Sequence, residues 1–111
     1  MTTLGKTALS TLMGLGLLTT SAYADADKGQ RVYQKKLKEV CGMTGAIFAA
    51  KHTQMEWENA KNEGKLTEMM TEICPAGKDF FDSDKFQNKF KSHLYDFVHD
   101  YASDSGNIPS C

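Results

Sequence analysis

Along this chain of 111 residues, apolar positions recur with helical spacing in four stretches, and none alternates with period two for long enough to make a strand. The first stretch spans about 28–41. Val32, Tyr33, Leu37, Val40 and Cys41 form its apolar stripe, Lys35, Lys36, Lys38 and Glu39 face water, and Gly42 is placed to stop it. Gly42–Lys51, rich in small residues, reads as a loop or one or two helical turns. In His52-Thr-Gln-Met-Glu-Trp57, Thr53 and Glu56 match a capping box, with His52 and Trp57 as the flanking staple. A helix is expected from Gln54 to about Asn62, stopping near Gly64. Leu66, Met69, Met70 and Ile73 give a third, which Pro75 ends after Cys74. Residues 75–82 read as a connecting loop. Asp82 or Ser83 then caps a long last helix, whose core stripe is Phe86, Phe90, Leu94, Phe97, Val98 and Tyr101. It ends at Asp104-Ser-Gly106-Asn107 and Pro109. The pattern predicts an all-α chain of about four helices.

Residues 1–24 read as an address rather than as structure. Lys6 supplies a positive start, an apolar small-residue run follows from about Thr7 to Thr20, and Ala22-Tyr23-Ala24 is an A-x-A cleavage signal. The expected mature chain, 25–111, starts at Asp25 and forms a single domain in the periplasm. Removing Lys6 leaves 13 − 1 = 12 basic residues against 14 acidic ones. That balance does not favour nucleic acid or an anionic membrane, and no membrane segment is expected in the mature form.

Export also favours disulfides. The three cysteines, Cys41, Cys74 and Cys111, allow one intramolecular bridge and leave one thiol for a second chain or a partner. Cys111, on a Gly- and Pro-containing tail, has the reach to staple that tail to Cys74, whose helix end is fixed by Pro75. Cys41–Cys111 is the alternative, because the first and last helices are expected to pack together. All three pairings are compatible with the sequence.

Gly29, Tyr33 and Gly42 have the spacing of the opening helix of a small c-type cytochrome, in which a Gly and an aromatic residue lead into Cys-x-x-Cys-His-Gly. The chain resembles class I cytochromes c in this stretch and in its order of elements. Here Leu37 and Val40 stand at the two thioether positions and Cys41 at the histidine position. The resemblance implies N- and C-terminal helices packed together and a periplasmic redox setting, and it implies no covalent haem. Haem held without thioethers would draw on Cys41 or His52, with Met69 or Met70 opposite.

Three functions follow as expectations. The first is a cytochrome-c-like helical protein with no cofactor, acting as a binding or accessory protein for a periplasmic protein partner. The second is an electron carrier holding haem through the four residues just named. The third is a thiol- or copper-handling protein using Cys41, Met43, His52, Met55, Met69 and Met70, whose soft donors suit Cu(I). No enzyme is expected. His52 is accounted for by the staple, while His93 and His99 lie on the last helix without a nucleophile nearby in sequence, and there is no Gly-rich phosphate loop.

Overall fold

The computed structural model describes residues 26–109. The expected leader and Cys111 lie outside the described residues. Helix α1 covers 26–36. It is followed by α2 (Lys38–Cys41), α3 (Gly45–Ala49), α4 (Gln54–Asn62) and α5 (Leu66–Ile73). A 3₁₀ turn at Pro75–Gly77 leads into α6 (Lys78–Asp82), and a π-helical turn at Phe86–Phe90 leads into α7 (Lys91–Asp100). The chain is all-α, with no strand among the described residues. Among the described residues it has seven α-helices rather than about four.

The extra helices arise where short-range signals are weak. The first helix breaks at Leu37, whose φ of −124° departs from the helical value although its amide still donates to the Tyr33 carbonyl at 2.9 Å. It then resumes as α2 and stops at Gly42 in the left-handed conformation, φ 67°, a backbone that glycine adopts without strain. Thr44 caps α3 by accepting the Ile47 amide at 3.3 Å. The expected loop over 75–82 is in fact the 3₁₀ turn and α6. Pro75 ends α5 as expected and also starts the 3₁₀ turn, where its missing N–H costs nothing. Ser83 ends α6 and caps the last helical stretch, its Oγ accepting the Phe86 amide at 3.2 Å.

The ends of the described chain pack together. Gly29 is buried against α7, and a Cβ built on it would lie 2.0 Å from the His93 carbonyl oxygen and 2.7 Å from the Phe97 Cβ. Only a residue without a side chain allows that backbone-to-backbone approach. One turn on, Tyr33 stacks on Phe97 with ring centroids 6.2 Å apart and donates its hydroxyl to the Met43 carbonyl at 2.8 Å. Gly45, at the start of α3, is the second place where Phe97 leaves no room for a Cβ, the nearest ring atom being 2.8 Å away.

Tyr33, Leu37, Phe48, Trp57, Met70, Phe81, Phe86, Leu94, Phe97 and Val98 make the sealed core. Val40, expected on the inward stripe, is instead 51% exposed. Tyr33, Leu37 and Cys41 follow one another at four-residue steps, and Val40 falls off the edge of the face they bury. The last helix ends at Asp100, short of Asp104, because the tail turns back onto α4. The Ser103 amide donates to the His52 carbonyl at 3.1 Å, and the Gln54 amide donates to Asp104 Oδ1 at 2.8 Å.

Candidate functional site

Cys41 and Cys74 form a disulfide with Cα atoms 5.4 Å apart, closing 33 residues. Leu37, fully buried, carries the end of α1 onto the 3₁₀ turn, where a Cβ on Gly77 would meet Leu37 Cδ2 at 3.2 Å and Cys74 Sγ at 3.3 Å. Cys41 is one turn beyond Leu37, and Cys74 is held extended before Pro75. The two sulfurs meet because Gly77 has no side chain to keep the segments apart. This pairing replaces the expected Cys74–Cys111 bridge and its alternative, Cys41–Cys111. It also removes the Cys41 thiolate from the candidate haem and copper donors.

The other candidate ligands are engaged in packing or local contacts. His52 meets the edge of Trp57 at 5.2 Å with planes 82° apart, so the staple forms, and its Nδ1 lies 3.5 Å from Glu56 Oε1. Met70 has no exposed surface, whereas Met69 lines a cleft between α4 and α5. The two methionines therefore face different environments. The interior holds a file of rings: Tyr101, Phe97, Tyr33, Phe48, Trp57 and His52, with successive centroids 5.4, 6.2, 5.1, 6.3 and 5.2 Å apart. Trp57 Nε1 donates to the Ala49 carbonyl at 3.0 Å, satisfying its one polar atom. Of the four candidate haem ligands, Cys41 is spent in the disulfide and Met70 is sealed in the core, while His52 packs on Trp57 and Met69 lies apart from it in the cleft between α4 and α5.

The cleft lined by Met69 has a volume of about 270 Å³, with Glu56, Glu63, Glu68 and Glu72 around it and Lys65 as its cation. Among the described residues, no group of three or more His, Cys, Asp or Glu side chains is arranged to hold a metal ion. His99 takes a role that its place in the sequence does not reveal. Its Nε2 lies 2.8 Å from Glu58 Oε2, tying α7 to α4, and its Nδ1 lies 3.9 Å from Asp100. Burial raises the Asp100 pKa, and the neighbouring His99 opposes that shift. His93 sits at the α1 crossing, with a buried Nδ1 that has no hydrogen-bond partner among the described residues.

Sequence reasoning missed a second set of side chains on α4, the π turn and α7. Lys61 Nζ lies 4.5 Å from the Tyr95 ring centroid, and Lys91 Nζ donates to Gln87 Oε1 at 2.9 Å. Gln87 in turn donates its amide to Thr67 Oγ1 at 2.9 Å and to the Phe81 carbonyl at 2.8 Å. Spread over residues 61 to 95, these groups carry no local spacing by which to recognise them. No helix among the described residues is long and apolar enough to cross a membrane. Compared with protein-family models, curated proteins and solved structures, the chain matches none of them.

Proposed function

We propose that this is a small exported helical protein of cytochrome-c-like architecture that binds no haem and serves as a binding or accessory protein of a periplasmic redox system, not as an enzyme. The observation that carries the reading is the crossing of α1 and α7. A glycine lies against the α7 backbone, and an aromatic residue four positions later stacks on Phe97. Gly29 and Tyr33 are also the residues that carry the sequence resemblance. At the positions where that family holds its cofactor, this chain has a buried Leu37, an exposed Val40 and a disulfide-bonded Cys41. A frame in which one of those positions is packed into the core, one faces solvent and one is spent in a disulfide suits a scaffold better than an electron carrier.

The test is to express the full chain in a Gram-negative host with haem supply ensured. The expected product is a periplasmic chain beginning at Asp25 with no Soret band. A stoichiometric Soret band would restore the electron-carrier reading, and retention of residues 1–24 in the cytoplasm would remove the periplasmic one.

A further inference from the structure

We infer that the concavity where the π turn meets α7 binds a phosphate monoester, held between Lys61 and Lys91. It has a volume of about 240 Å³. Leu66 and Tyr95 supply its apolar wall, Asn88 and Ser92 add uncharged polar side chains, and no acidic residue lines it. Two ammonium groups are placed by contacts that leave their charge uncancelled. Lys91 is held by Gln87, whose side chain is fixed by two further hydrogen bonds, to Thr67 and Phe81. Lys61 is held over the face of Tyr95, which is 9% exposed. A third, Lys89, lines the same concavity.

None of these lysines has an ion pair among the described residues. The carboxylates acting on Tyr95, Glu58 and Asp96, do not line the concavity, and Glu58 is bonded to His99. Gathering unpaired positive charge costs energy, and a bound anion would offset that cost. The backbone contributes too. The Lys91 amide bonds to the Phe86 carbonyl, five residues back. Such π turns inside helices are frequent at functional sites, and Gln87 lies within this one, with Lys91 directly after it.

The ligand chemistry follows from the donors. Ammonium groups act as point charges on a tetrahedral dianion, whereas planar two-point recognition of a carboxylate calls for arginine. At roughly 30 Å³ for each water's share of liquid volume, the concavity has room for an organic group beside the phosphate, next to Leu66 and Tyr95. A soluble ester and the headgroup of phosphatidic acid share this chemistry. The inference is independent of the redox reading above.

The experiment is an NMR titration of the mature chain at physiological salt with glycerol 3-phosphate, alongside co-sedimentation with vesicles of phosphatidylcholine containing phosphatidic acid. Saturable shifts confined to Lys61 and 87–95 are expected. The Lys61→Gln/Lys91→Gln double variant should abolish them, and Gln87→Ala should weaken binding several-fold by releasing Lys91. Lys35→Gln/Lys36→Gln on α1 should leave binding unchanged, and retained amide dispersion establishes that each variant folds. Sedimentation that glycerol 3-phosphate displaces would support the site and assign the lipid headgroup as its source. A response to neither probe would overturn the inference, as would shifts that never saturate or that the α1 variant reduces equally.

Discussion

Thr53 fixes the start of α4 through two reciprocal bonds. Its hydroxyl accepts the Glu56 amide at 3.1 Å, and its own amide donates to Glu56 Oε1 at 2.9 Å. Asp104 adds a third contact by accepting the Gln54 amide, placing a negative charge at the positive end of the helix. Thr53→Ala should therefore cost about 1 kcal/mol in urea unfolding, and an unchanged midpoint would mean that the box contributes nothing. The Glu56 carboxyl is held below its ordinary pKa, first by the Thr53 backbone amide; desolvation opposes that shift, and the Thr53 hydroxyl and His52 add to it. Its folded pKa is thus lower than its unfolded one. The stability it contributes is complete above the ordinary glutamate range and is lost as pH falls through the folded value. A carboxyl-detected titration should find Glu56 among the lower glutamates. Glu56→Gln should flatten the acid limb of the stability profile, and a profile unchanged by that substitution would exclude the linkage.

At the scale of elements, α1 and α7 meet backbone to backbone at Gly29. Because a Cβ on Gly29 would lie 2.0 Å from the His93 carbonyl oxygen, Gly29→Ala forces the helices apart. It should destabilise by about 3 kcal/mol, near the upper end of the usual overpacking cost. Thermal unfolding would measure this, and a loss below about 1 kcal/mol would mean that α1 is not docked there. The limits of α4 and α5, by contrast, were legible in the sequence, because Thr53, Glu56, Gly64 and Pro75 act within a few residues of themselves. Phe80-Phe81 lies in a segment too short to display a period, so α6 read as loop. The Cys41–Cys74 pairing depends on Gly77 lying over Leu37, a tertiary contact with no local signature. The lysine-lined concavity is equally hidden, since Lys61 and Lys91 come together only when α4 and α7 pack. The helical frame was thus readable from caps and stripes, and the chemistry-bearing contacts, being long-range, were not.

For the whole molecule, the disulfide does what a small core cannot do alone. Closing 33 residues is worth about 3–4 kcal/mol on the chain-entropy account. Reduction, or the Cys41→Ala/Cys74→Ala double variant, should lower stability by that amount, and peptide mapping should recover Cys41 linked to Cys74. Equal stability with and without reductant would show that the bond carries none of the fold. Its placement has a consequence for connectivity as well. The turn between α4 and α5 lies inside the closed ring and holds an exposed Gly64 with φ of 72°. A protease cutting there would open the ring without dividing the protein. The two pieces would run as one species on a non-reducing gel and separate only after thiol treatment, each carrying one partner of the α1–α7 crossing.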